Sequence, residues 1–224
     1  LVFIGCTPNY TLQSYEDKLV ETRALEDSII LAIIQPYKDS IETQMNEILS
    51  YTKNELKKGK PESTIGNFVT DLCLNYTNAD MCLMNNGGLR TSIDKGNITK
   101  GKIYELMPFE NELVVVELEE KDFIGLLNYI TTRGGEPFSG ITITMNNEGK
   151  IVDYSHPVDF ENGRKIRVLT SDYLANGGDK MWFFNNKEQE KTGIKIRDAI
   201  INYCEKTDTI NINLDGRINF LRNE

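Results

Sequence analysis

With 224 residues, the chain is long enough for one large domain or at most two small ones. Folding at that size buries roughly 70% of the surface an unfolded chain exposes, so neither disulfides nor metals are needed to hold it together. A composition of 39% hydrophobic and 26% charged residues, with 17 Gly and 6 Pro, excludes disordered, collagen-like and coiled-coil chains. The formal charge of −9 argues against a nucleic-acid polymer as partner, because such a partner demands a basic face. A small anion held by a few placed Arg or Lys side chains stays open. The single histidine, His156, rules out a histidine-rich metal centre within these residues.

The chain opens Leu1-Val2-Phe3-Ile4-Gly5-Cys6 and turns polar at Thr7-Pro8-Asn9. That apolar run is far too short to span a bilayer. Apolar residues followed by Gly and Cys resemble the end of a bacterial lipoprotein signal peptide, in which Cys6 would become the lipidated first residue. Residues 7–24 then read as a polar tether, so 1–24 form a signal remnant with tether and 25–224 the folded domain. Cys73, Cys82 and Cys204 sit among apolar neighbours without a CxxC pair, and read as buried free thiols.

Along the chain, Ile29, Ile30, Ile33, Ile34, Tyr37, Ile41, Met45, Ile48 and Leu49 recur with helical spacing and predict a helix over 25–49, kinked or interrupted at Pro36. Four lysines (53, 57, 58 and 60) precede Pro61-Glu62-Ser63, which opens a second helix with Ser63 as N-cap. Residues 81–84 predict a buried strand, 99–106 a short helix, 113–118 a β-branched strand and 121–130 a helix closed by Gly134. Strands follow at 141–144 and 150–154 around the turn Asn147-Glu148-Gly149, and again at 166–169. A last helix spans 194–204 and a last strand 217–220. With no internal repeat and no Ser/Pro-rich linker after residue 25, the pattern predicts one α+β domain with a mixed β-sheet and flanking helices.

Three loops combine glycine with polar or aromatic residues. In Asn85-Asn86-Gly87-Gly88-Leu89-Arg90 the glycines allow positive φ and leave backbone N–H groups open to anionic oxygens, and Arg90 adds a permanently charged fork. In Leu106-Met107-Pro108-Phe109-Glu110-Asn111 the proline holds the chain extended, so Phe109 is presented as a stacking platform and Asn111 offers a donor and an acceptor to a base edge. Between Tyr173 and Asp179 lies a turn by composition, with an aromatic before it and an acid at its end that suits sugar hydroxyls. Taken singly, each reads first as ordinary structure: a turn with a solvated arginine, a core phenylalanine, a turn with a surface acid. Together they supply a phosphate cradle, two aromatics, an amide and a carboxylate, a set that suits a nucleotide.

Glu62-Ser63-Thr64-Ile65-Gly66-Asn67-Phe68, the 85–90 loop, Pro108-Phe109-Glu110-Asn111, Ser139-Gly140 and Tyr173 to Asp179 resemble, in order and spacing, the C-terminal domain of 5′-nucleotidases. That family includes ecto-5′-nucleotidase and the bacterial UDP-sugar hydrolases, and the likeness covers residues 25–222. The resemblance implies a substrate-binding domain. Phe109 and Tyr173 resemble its stacking pair, and Asp179 its ribose acceptor. Asn85, Gly87, Gly88 and Arg90 resemble its phosphate side, with Asn111 near the base. Two positions depart from the family pattern: Tyr173 stands where Phe is usual, and Lys58 and Lys60 lie where an arginine precedes the Glu-Ser segment. Full-length members also carry a metallophosphatase domain whose metal pair performs the hydrolysis, and one histidine cannot build such a centre.

The resemblance therefore implies the nucleotide-binding half of a split 5′-nucleotidase, partnered by a separate metallophosphatase chain that supplies the divalent metals. A lipoprotein that captures nucleotides or nucleosides at the envelope without hydrolysis stays open beside it. So does a domain kept for a structural role. His156, in Tyr154-Ser155-His156-Pro157, reads as a surface residue.

Overall fold

Residues 113–118 show how this chain builds its centre. Leu113, Val114, Val115 and Val116 are all buried, because side chains alternate faces along a strand and both faces of this one are covered. Val114, Val116 and Leu118 enter one apolar cluster, while Leu113 and Val115 enter another on the opposite face. Each such side chain taken from water stabilises the fold by roughly 1.5–3 kcal/mol. The computed structural model describes residues 12–17, 28–155 and 159–221.

The helices are α1 (Ser28–Met45), α2 (Thr64–Leu74), α3 (Lys100–Leu106), α4 (Glu120–Thr132), α5 (Asp172–Ala175) and α6 (Ile196–Glu205). The strands are β1 (Ile48–Thr52), β2 (Met81–Leu83), β3 (Gly96–Thr99), β4 (Glu112–Leu118), β5 (Phe138–Ser139), β6 (Thr142–Met145), β7 (Ile151–Ser155), β8 (Ile166–Ser171), β9 (Gln189–Lys195), β10 (Thr209–Ile210) and β11 (Ile218–Phe220). The chain divides into two units, Leu1–Asp39 and Ser40–Glu224. In the first unit the described residues are 12–17, without regular structure, and the larger part of α1.

The second unit is α+β, and its strands form three sheets where the sequence pattern suggested one. A five-stranded mixed sheet runs in the order β5-β2-β8-β4-β9, and the two smaller sheets run β10-β1-β3 and β11-β6-β7. On one face of the large sheet, residues of α2, α3, α6 and the β10-β1-β3 sheet share a core with Leu113, Val115 and Leu169. On the other, α4 and the β11-β6-β7 sheet pack with Val114, Val116 and Val168. Cys73, Cys82 and Cys204 are buried free thiols, and burial pushes the Cys204 thiol up to about 12.

Two expectations at the amino-terminal end need correction. The first helix ends at Met45, and Ile48 and Leu49 begin a strand instead, where pairing with β3 and β10 overrides the helical spacing. Of the kink or interruption expected at Pro36, the interruption does not occur: α1 runs through that residue. Ser63 caps α2 as its sequence suggests, accepting the Gly66 N–H at 3.1 Å.

The Glu62–Phe68 motif proves to be a frame. Glu62 accepts the backbone N–H groups of Asp215, Gly216 and Arg217, and its Oε1 also takes the Asn67 amide at 2.6 Å. This fastens the segment before β11 to the start of α2. Gly140 serves a similar structural end, with a φ of 91° and a position where a Cβ would lie 2.3 Å from the Asp80 carbonyl oxygen. Gly140→Ala should therefore lower unfolding stability by about 2 kcal/mol or more, read by urea denaturation. An unchanged midpoint would contradict that close approach.

Candidate functional site

Strand pairing brings the three glycine- and aromatic-bearing loops to one edge of the large sheet. β2 and β8 are parallel, with Met81 opposite Val168 and Cys82 opposite Leu169, so their carboxyl ends lie side by side. β4 is antiparallel to β8, with Leu113 opposite Ser171, so its amino end lies there too. The 84–90 loop follows β2, Tyr173 to Asp179 follow β8, and residues 107–111 lead into β4. Carboxyl ends of parallel strands are where open α/β sheets commonly place ligands.

Between these loops is a cavity of 410 Å³. The first loop contributes Asn85, Gly87, Gly88 and Arg90 to its wall, the second Phe109 and Asn111, and the third Tyr173 and Asp179. All eight residues singled out in the sequence thus face one space. Buried Met84, Leu89, Met107 and Ile196 add an apolar floor. Phe109 and Tyr173 remain 43% and 48% exposed, so two aromatic rings stand at the wall with much of their surface in water. Arg90 lies near Phe109, its guanidinium carbon 6.0 Å from the ring centroid, and donates to the Gly87 carbonyl at 3.3 Å. Among the described residues no carboxylate pairs with it.

The polar groups are tied together before any ligand arrives. Asp179 accepts from Asn85 Nδ2 at 2.7 Å on one oxygen and from the Tyr173 hydroxyl at 3.0 Å on the other. It sits in the left-handed region at φ 52°, and Gly178 before it must be glycine, because a Cβ there would lie 2.5 Å from the Tyr173 ring. A carboxylate takes about four hydrogen bonds, so Asp179 keeps acceptor capacity. Asn111 donates to Asp172 at 2.9 Å, which links the second loop to α5 and spends one of the donors expected to face a base.

The first loop departs from expectation in its backbone. Neither Gly87 nor Gly88 has positive φ. At Gly88 a Cβ would lie 2.6 Å from Asn85 Oδ1, so a larger residue there would have to displace the amide that holds Asp179. The Gly88 N–H closes a turn onto the Asn85 carbonyl at 3.1 Å, so that donor is used within the loop. The lysines before Glu62 do not reach the cavity. Lys60 caps α4 by donating to the Arg133 carbonyl, and Lys58 is tied through its N–H to Ser92 at 3.0 Å.

Residues with no local signature support the site from behind. Glu136, buried, accepts from the Asn86 N–H at 2.7 Å and from Arg133 Nε at 3.0 Å. Tyr129 donates to the Asp179 carbonyl at 2.8 Å, with the Arg133 guanidinium 5.2 Å from its ring. Beside Phe109, the Glu110 carboxyl is held down to about 2 by hydrogen bonds from Lys195 and Arg197. Among the described residues no group of three or more His, Cys, Asp or Glu stands together so as to hold a metal ion. Cys6 and His156 lie outside the described residues.

Known proteins resemble this chain over most of its length. A family profile described as "5′-nucleotidase, C-terminal domain" matches residues 43–186. An apyrase of Tabanus yao is 26% identical over 86% of this chain and 41% of its own length. A trifunctional nucleotide phosphoesterase of Bacillus subtilis is 31% identical over 65% of this chain and 12% of its own. Among solved structures, the 5′-nucleotidase precursor of Thermus thermophilus superposes with a TM-score of 0.72 at 25% identity, covering 90% of this chain and 45% of that one. The chain thus spans less than half the length of these relatives.

The lowered Glu110 value sets a pH dependence. Because the folded value lies below the ordinary 4.5, the ion pairs stabilise the fold fully above about 4.5 and are lost as pH falls through about 2. Glu110→Gln should melt below the wild type at neutral pH, with the gap closing between those two values. A gap that persists unchanged at the acid end would show that the carboxylate charge is not its source.

Proposed function

Because this chain belongs to the 5′-nucleotidase C-terminal domain family, we propose that its cavity is the substrate grip of a nucleotide phosphohydrolase. The observation that carries the reading is the company Arg90 keeps: a guanidinium with no carboxylate partner among the described residues, on the same cavity as two half-exposed aromatic rings. A planar heterocycle inserts between Phe109 and Tyr173 and stacks on both. Asp179, steadied by Asn85 and Tyr173, accepts ribose hydroxyls with its remaining lone pairs. Arg90 meets the phosphate beside the Asn85–Gly88 turn, and Asn111 faces the base edge. The likeness to an apyrase, a 5′-nucleotidase and a nucleotide phosphoesterase supports a nucleotide as the ligand class.

Hydrolysis needs metals and an attacking water, and residues 1–224 hold one histidine. In our reading a separate metallophosphatase chain supplies both, docking over the phosphate end of the bound nucleotide. An acyl anchor on Cys6, read from the Leu1–Cys6 pattern, holds the domain at the bacterial cell envelope, on its periplasmic or outer-membrane face.

Titration with AMP tests the grip. Wild type should bind, and Phe109→Ala or Tyr173→Ala should each weaken binding by about 1–3 kcal/mol, the worth of one base–aromatic stack. Absence of binding to any nucleotide or nucleoside would overturn the proposal. Phosphate release from AMP should appear only on adding a metallophosphatase chain; binding without release in every such mixture favours plain capture. Labelled palmitate should be incorporated by wild type and not by Cys6→Ala, and no incorporation at all would remove the anchor alone.

A further inference from the structure

The segment that carries Phe109 lies between α3 and β4 and has no regular backbone pairing of its own. Pro108 also lacks an N–H. Something outside the segment must therefore hold its carbonyls and set the direction of the ring. The first turn of α6 does so. Ile196 donates its N–H to the Asn111 carbonyl at 3.0 Å. Arg197 Nη1 reaches the carbonyls of Met107 and Phe109, each at 3.4 Å, and Nη2 pairs with Glu110. One face of the guanidinium lies over the Tyr104 ring, 4.3 Å from its centroid, so α3 closes the clamp from the other side.

We propose that Arg197 is a positioning residue: its buried guanidinium locks residues 107–111 in the shape that presents the Phe109 ring to the cavity. Two further observations favour this over a purely structural part. Arg197 is only 6% exposed, and its Nε is buried without a hydrogen-bond partner, so the side chain bears a desolvation cost that an apolar residue would avoid. The geometry also calls for a planar fork, since two carbonyls and a carboxylate are met at once. A lysine's point charge cannot span them.

The inference rests on the stacking role given above to Phe109, and two readouts keep the two ideas separable. In the ligand-free chain, Arg197→Met should speed hydrogen exchange at the Met107 and Ile196 amides, which bond the Ile103 and Asn111 carbonyls, while leaving the central strands protected. With ligand, AMP affinity should fall about tenfold, as for the loss of one stack, while ribose 5-phosphate, which has no base, binds as before. Combining Arg197→Met with Phe109→Ala should cost no more AMP affinity than Phe109→Ala alone. Glu110→Gln, at an exposed position, should give a smaller change of the same kind and serves if Arg197→Met does not fold. Equal losses for both ligands, full additivity, or unaltered exchange at the Met107 and Ile196 amides would each overturn the proposal. If wild type binds no AMP, the nucleotide reading falls and the exchange measurement alone judges Arg197.

Discussion

Strands β2 and β8 run parallel, and β4 runs antiparallel beside β8, so two carboxyl ends and one amino end lie along a single sheet edge. Every feature of the cavity follows from that pairing, because each wall is the few residues adjoining one strand. A one-residue slip would turn alternate side chains to the other face. The pairing resists such a slip because β4 is buried on both sides and β8 is buried at five of its six positions. The buried Thr170 hydroxyl adds a fixed point, donating to the Leu83 carbonyl at 2.8 Å where β2 gives way to the first loop.

On this rigid edge the loops are joined by their own polar groups. Asn85 reaches across to Asp179, Asn111 to Asp172, Asn86 to Glu136, and Tyr129 to the Asp179 backbone. Each bond crosses between elements distant in sequence, so the cavity's shape is set in the free chain. That reduces the ordering cost a ligand must meet on binding. The aromatic rings are the exception to this pattern of satisfaction. Phe109 and Tyr173 keep nearly half their surface exposed where core packing would have covered them.

Much of this was legible in the chain itself, and the limits have physical causes. The central strand, α2 with its Ser63 cap, and α4 closed by Gly134 announce themselves through periodicity and local capping chemistry. The wall residues stand out in the sequence because loops with paired glycines and out-of-place aromatics, taken together, depart from ordinary turns. Strand β9 was missed since its Gln-Glu-Lys-Thr-Gly-Ile-Lys sequence follows no apolar alternation; it is an edge strand and mostly faces water. Glu136, Tyr129 and Arg197 left no mark either. Their partners lie tens of residues away, and nothing in a local window says that a given acid or arginine will be buried. The Glu62–Phe68 motif stood out equally in the sequence, yet it braces the chain near residue 215 and contributes nothing to the cavity wall.

The overall charge of −9 sits uneasily at first with an anionic ligand. Distance resolves the conflict. Exposed charges farther than a Debye length of about 8 Å are largely screened at physiological salt, so the net charge sets a weak background and the groups at the cavity dominate. Of those groups, the Asp179 carboxylate is already occupied by an amide and a phenol, and Glu110 by Lys195 and Arg197. Arg90 is the cation among them that has no counter-ion in the described structure. A guanidinium left in that state beside an apolar floor is short of a partner with two or more oxygens. In the proposed reading, a phosphate ester attached to a flat ring would meet both halves of the cavity at once, as neither a bare sugar nor a bare anion would.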